Sequence, residues 1–373
     1  MSTPAEKPVW VDVKAILKIS LISSIGDLPP ELAASVSLEE KNYIAEIQRR
    51  GLLPFAVTPH FASLARPEQD DPIRRQFFPD PREALPDPCA LNDPLGEYRF
   101  RAAPRLVHQY RDRALLLAAG TCAGYCRHCF RRVWLSSVSS NGMEELQPEL
   151  AYLAAHPEIR EILLSGGDPL TLDNAVLSDL FRRLREARPG VLLRVCTRVA
   201  ITEPLRLDSE TIALFAAFRP LRLAVQINHP RELSAPSRAA LAACVNASIP
   251  IHVQTVLLRG INDDPALLAQ LFQNCLDLGL SPYYLFQMDL APGTAHFRVP
   301  LKRGIAIYRE LGGLISGPGL SAYAVDLPGG GGKIRLHENV IAGEKTTPAG
   351  NVYVLKDSNG GEWYYPAGDE IYS

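Results

Sequence analysis

Cys122, Cys126 and Cys129 fall within eight residues of one another in TCAGYCRHCFRR. Thiolates at spacings of four and three on one loop can wrap a single small inorganic object. A four-iron cube held by three of them leaves its last iron open to a ligand. Zinc is the competing reading, but a structural zinc site closes with four ligands and commonly a second CxxC, and His128 sits awkwardly between two of the cysteines. Cys89, Cys196, Cys244 and Cys275 stand apart, so the seven cysteines read as metal or redox spacing and not as a disulfide framework.

Other stretches carry chemistry of their own. In LLSGGDPL (163–170), bare backbone at Gly166 and Gly167 lets a ligand approach the main chain beside Ser165, and Asp168 can accept from an ammonium; alone, the stretch is an ordinary strand-to-helix turn. In VDLPGGGGKIRL (325–336), four glycines free the backbone to form an anion-binding nest next to Lys333. Ile334 after the lysine excludes a Walker A loop. An amine beside a phosphate cradle suits a pyridoxal phosphate Schiff base, with a flexible hinge as the plainer alternative. Arg131 can grip a carboxylate through two parallel hydrogen bonds, or simply decorate a solvated loop. Asp289 and Asp326 close two successive apolar runs; together they suit a cationic group, and singly either could cap a helix. His229 and Gln254, also at strand ends, could touch a cofactor or serve structure alone.

These residues need a frame that gathers strand ends. Apolar runs at 114–120, 161–167, 191–197, 221–228, 251–258, 282–289 and 320–327 alternate with helix-period segments such as LDNAVLSDLFRRLREA and PALLAQLFQNCLDLG. The alternation predicts an α/β chain with a parallel sheet. Polar or glycine-rich residues end each run, as at the rim of a barrel where sites are built. The expected fold is a partial (β/α)6 TIM-like barrel with an N-terminal helical extension and a short C-terminal β-hairpin, against a doubly wound open sheet. Boundaries are expected at 1–104 for the helical and irregular extension, 105–336 for the barrel and 337–373 for the tail, with Asn359 and Gly360 at the hairpin turn.

Composition narrows the function. With 373 residues and 47% apolar content, the chain can bury a large core without disulfides. A net charge of −2 provides no global attraction to nucleic acid or anionic membranes. The opening MSTPAEKPVWVDVK lacks a signal-peptide pattern and no run approaches a bilayer span, so a cytoplasmic protein is expected.

The CxxxCxxC loop resembles the signature of radical S-adenosylmethionine enzymes. With PFAVTPHF, DDPIRRQFFP, LVHQYRDRALLL, LSGGDPL, INHP, QTVLLRGIND, PYYLFQMD, GTAHFR and DLPGGGGK in order, the chain from about 50 to 340 resembles the lysine 2,3-aminomutase family. The resemblance implies a [4Fe-4S] cluster on Cys122, Cys126 and Cys129, with S-adenosylmethionine on its open iron. Ser165, Gly166, Gly167 and Asp168 would hold that molecule, helped by His229 and Gln254. It also implies pyridoxal 5'-phosphate on Lys333, near Tyr110 and Arg113. Arg131 would take the substrate carboxylate, and Asp289 and Asp326 the side-chain ammonium of L-lysine, moving its amino group from the α- to the β-carbon.

Arginine, glutamate and the β-lysine-forming step of elongation factor P modification remain alternatives. The family further implies an electron donor such as flavodoxin or ferredoxin, a small-molecule amino acid substrate, and a homo-oligomer. Two departures stand out. Asp264 replaces the cysteine that in known lysine aminomutases follows the IND turn and no cysteine follows Cys275, so zinc is not expected; Gln109 stands where the family tends to have an arginine near the phosphate.

Overall fold

The computed structural model describes residues 19–137 and 146–367, apart from Glu338, Ala349 and Ser358. Among the described residues, ten strands form one sheet in strict chain order. They are β1 (Arg101–Ala103), β2 (Leu106–Tyr110), β3 (Arg113–Ala119), β4 (Glu161–Gly166), β5 (Leu192–Thr197), β6 (Leu221–Gln226), β7 (Ile251–Leu257), β8 (Ser281–Gln287), β9 (Ala322–Leu327) and β10 (Gly332–Arg335). Strands β3 to β9 are parallel, while β1, β2 and β10 run antiparallel to their neighbours. A doubly wound sheet reverses its strand order at a switch point; this order contains no reversal, so that alternative falls.

Helices cross between the parallel strands because their sequences carry one apolar stripe. Asn174–Ala187 buries Leu177, Leu180, Phe181 and Leu184, and Pro265–Asp277 buries Leu268, Leu271, Phe272 and Cys275, at the spacing that keeps side chains on one helical face. Asp173, Asp208 and Asp264 start their helices by accepting from a backbone N–H three residues on. Burial on β5 alternates: Leu193 and Val195 are fully covered, whereas Arg194 and Cys196 face a cavity. The inner face of the sheet is therefore partly polar, unlike the continuous apolar strands expected from sequence.

Two expectations change at the C-terminal side. The glycine run is not a free hinge: it is the turn of a β9–β10 hairpin that sets Lys333 opposite Asp326. The tail holds one strand more than a hairpin. The strands β11 (Ile341–Thr347), β12 (Gly350–Lys356) and β13 (Glu362–Pro366) form an antiparallel sheet, with Asn359 and Gly360 between the last two. The described N-terminal stretch begins with the short helices Ile25–Asp27 and Pro30–Ala34 and continues with helix Leu38–Arg50, whose Ser37 and Glu40 form a reciprocal capping box. Among the described residues, no helix is long and apolar enough to cross a membrane.

Candidate active site

A cavity of about 350 Å³ is lined by the inner face of the parallel strands, from Arg113 and Ala114 at the start of β3 to Thr197 at the end of β5, and by the loops beyond their C-terminal ends. Of the residues singled out from sequence, all line it except His229. The His229 Nδ1 atom instead accepts from the Arg231 backbone N–H at 3.1 Å and caps the short turn Pro230–Glu232, and burial pushes the imidazole down to about 4. Only its Nδ1 is engaged by this cap, and a strand-end position does not by itself show which way a side chain turns.

The cysteine loop hangs from the N-terminal extension. Tyr125 N donates to Ala56 O at 2.9 Å and Arg127 N to Gln76 O at 2.8 Å. Arg127 donates to both oxygens of Glu83, at 2.8 and 2.5 Å, and Arg132 reaches the same carboxylate at 2.5 Å. Burial alone would raise the Glu83 carboxyl, but the two guanidiniums pull it down to about 2. The thiols experience the opposite balance. Burial and then the neighbouring Cys129, Asp168 and Cys126 push Cys122 well up, and burial with Cys126 pushes Cys129 up to about 11.

Sulfurs this close disfavour one another's charge, and a core of several iron ions supplies the compensating positive charge, so the donor set fits a cluster. Among the described residues, no three His, Cys, Asp or Glu side chains are gathered to hold one metal ion. A cluster, by contrast, spreads its sulfur ligands over different irons. Arg198, which sequence reasoning passed over, donates to Cys126 Sγ at 2.8 Å and is anchored behind by Glu232 at 3.2 Å.

The SGGD turn is built against this loop. A Cβ on Gly166 or Gly167 would collide with the carbonyl oxygens of Ala119 and Thr121, and the backbone N–H groups of Gly167 and Asp168 donate to those same oxygens at 2.6 and 2.8 Å. Both Asp168 oxygens are engaged within the protein, by Thr197 Oγ1 and by the backbone N–H groups of Leu170, Arg198 and Val199. This carboxylate ties two strand ends together while it faces the cavity.

Across the cavity, Lys333 Nζ pairs with Asp326 Oδ2 and lies 4.0 Å from the Phe286 ring centre. Its backbone N–H donates to Tyr110 Oη at 2.9 Å. Gln109 Nε2 donates to Gly330 O at 3.2 Å, and the Arg113 guanidinium stacks 3.9 Å over the Tyr110 ring. Backbone without side chains, flanked by Tyr110 and Arg113 and ending at an amine, fits a phosphate-bearing aldehyde. Asp289 is raised to about 8 by burial and then by the charge of Asp326, which Lys333 and Arg131 only partly offset.

Arg131 is not free. Its Nε and Nη2 donate to the two oxygens of Glu97 at 3.0 and 2.5 Å, and its Nη1 donates to Ser165 Oγ at 2.8 Å. Glu97 went unnoticed in the sequence, where it is one acid in a Pro- and Asp-rich stretch without periodicity.

Residues 112–213, which include all three loop cysteines, match the family described as 4Fe-4S single cluster domain. An L-lysine 2,3-aminomutase of Clostridium subterminale is 35% identical over 81% of this chain and 73% of its own length. The enzyme of that name in Methanococcus maripaludis is 34% identical over 89% of this chain and 77% of its own. A glutamate 2,3-aminomutase of Clostridioides difficile is 33% identical over 84% and 74%. Among solved structures, native anSMEcpe with bound AdoMet and Kp18Cys peptide aligns with a TM-score of 0.42 at 11% identity, covering 53% of this chain and 57% of that one, too loosely to bear on function. Relatedness of this depth over most of the length, with the cluster domain spanning the three thiols of the cavity, means that the chain belongs to the L-lysine 2,3-aminomutase family of radical S-adenosylmethionine isomerases.

Proposed function

We propose that this isomerase converts L-lysine to β-lysine within the cavity bounded by Cys122, Cys126, Cys129 and Lys333. The observation that carries the substrate reading is the pair Asp289 and Asp326 on the cavity wall, with Asp289 pushed up to about 8. Two carboxylates held together gain most from a cation between them. A second substrate carboxylate, as in glutamate, would be repelled there.

Cys122, Cys126 and Cys129 would hold the [4Fe-4S] cluster, with Ser165, Gly166, Gly167, Asp168 and Gln254 bounding the place for S-adenosylmethionine. Lys333, Tyr110 and Arg113 would hold pyridoxal 5'-phosphate. When bound, these groups supply hydrogen-atom abstraction and return, and the carbon–nitrogen attachment through which the amino group shifts.

The protein's own part is positioning. Arg131 fixes the α-carboxylate, and the two aspartates fix the far ammonium, so the chain of the amino acid is stretched between them. Asp326 neutralises the Lys333 ammonium, and would be open to the substrate's ammonium when Lys333 holds pyridoxal 5'-phosphate. The rings of Phe286 and Tyr284 lie against the lysine amine, with centres 4.0 and 5.3 Å from Nζ. The parallel strands, which begin with β3, would serve as a partial (β/α)6 barrel within 105–336, with an extension before it, a tail after it, and an outside reductant such as flavodoxin or ferredoxin. Anaerobic incubation of the loaded enzyme with L-lysine and reductant should yield 3,6-diaminohexanoate; turnover of glutamate with lysine untouched would overturn the substrate assignment.

A further inference from the structure

We infer that Glu97 is a positioning residue for the substrate: it grips one edge of the Arg131 guanidinium and so aims the other edge at the α-carboxylate. The inference rests on the role given to Arg131 above and extends it to a residue that no motif marks.

A guanidinium has five N–H groups. Glu97 takes those of Nε and one of Nη2, and Ser165 takes one of Nη1. One hydrogen remains on each of Nη1 and Nη2, and with Ser165 on the Nη1 hydrogen of the Cδ side these two would form the end-on pair that matches a carboxylate. Both partners are largely buried, with side chains 9% and 17% exposed, so water competes weakly for the pair.

The position of Glu97 is itself fixed from the lysine side of the cavity. Its backbone N–H and that of Tyr98 each donate to Asp93 at 2.9 Å. Gly96 before it has φ +67°, and a Cβ there would lie 2.8 Å from the Gly329 carbonyl. Gly329 N in turn donates to Pro94 O at 2.8 Å. One short segment thus sets the carboxylate-binding edge of Arg131 relative to the hairpin that carries Lys333. Glu97 also cancels the charge of Arg131, so an amino acid is held there by hydrogen-bond geometry more than by net charge.

A competing arrangement has Glu97 occupying Arg131 only until substrate displaces it. The two differ in sign. With the anaerobic holoenzyme and whichever amino acid the wild type turns over, positioning predicts that Glu97→Ala raises KM, and the Kd measured by calorimetry, roughly tenfold to a hundredfold. Iron content and the visible cofactor band should be unchanged. Glu97→Gln, which keeps an acceptor, should fall between, and Glu97→Ala should add nothing in an Arg131→Ala background. An unchanged or lower KM and Kd in Glu97→Ala, or additive losses in the double variant, would overturn the inference. If the wild type prefers an amino acid other than lysine, the substrate reading fails while this cycle remains decisive.

Discussion

The two sides of the cavity are held by different physics. The cysteine side is fixed by buried charge: Glu83 between Arg127 and Arg132, and Arg198 between Cys126 and Glu232. The lysine side is fixed by shape. Gly96 sits against Gly329 and Gly330, Trp363 of the C-terminal sheet packs on Gly331, and the buried Tyr365 donates to Met288 O, next to Asp289. Buried charge resists displacement strongly but fails when one partner is lost, because the other stays desolvated. Close backbone packing fails in proportion to the atoms added. One wall should therefore break abruptly and the other by degrees.

The largest effect should come from Lys333→Ala, which removes the amine itself: turnover is abolished and the aldimine-type absorbance disappears, while iron and sulfide content stay at wild-type levels. Iron loss in that variant would mean that the walls are not independent.

Next comes Glu83→Gln. It leaves Arg127, whose side chain is 0% exposed, without its counter-charge, at a cost of about 3–5 kcal/mol. Thermal melting and iron content should both fall. The same contact predicts a pH response. Because Glu83 is held at about 2 against an ordinary 4.5, its contribution of about 3 kcal/mol is complete above the ordinary value and is lost as pH falls through about 2. Glu83→Gln should flatten the acid limb of the stability curve.

Gly96→Ala tests the other wall. A side chain at φ +67° and 2.8 Å from the Gly329 carbonyl should cost about 1–3 kcal/mol. Cofactor occupancy at Lys333 should weaken with iron content preserved; equal loss of both would erase the distinction drawn between the walls.

Asp289 is the test of opposite sign, because there a substitution should stabilise. Its folded-state value lies above the ordinary 3.8, so its contribution is present below that value and is lost as pH rises through about 8. Asp289→Asn should thus raise the melting temperature near pH 8 while weakening lysine use. In the wild type, KM for lysine should fall as pH approaches 8 and the carboxylate ionises. A pH-independent KM would remove Asp289 from the ammonium site.

Local patterns account for what could be read early. Three thiols spaced along one loop must lie near one another wherever the loop goes, and Lys333 behind four glycines marks itself by composition. The repeated runs followed by helical stretches imply a parallel sheet because each run is too apolar to face water. The cap that His229 makes on its own turn was not legible because position at a strand end does not specify side-chain direction, and the extra strand of the tail was hidden in IAGEKTT, whose alternation is weak. Glu97 and Glu83 were invisible for a different reason. Each is an unremarked acid in an irregular stretch, and each finds its arginine 34 to 49 residues away.

The chemistry of this chain was thus written in residue types a few positions apart, because covalent spacing confines neighbours whatever the fold. Which guanidinium edge faces the cavity, which carboxylate pairs with Lys333 and which acid anchors the cysteine loop depend on separations of a few ångströms between distant segments. Those are set when the sheet brings its strand ends together, and no local pattern carries them.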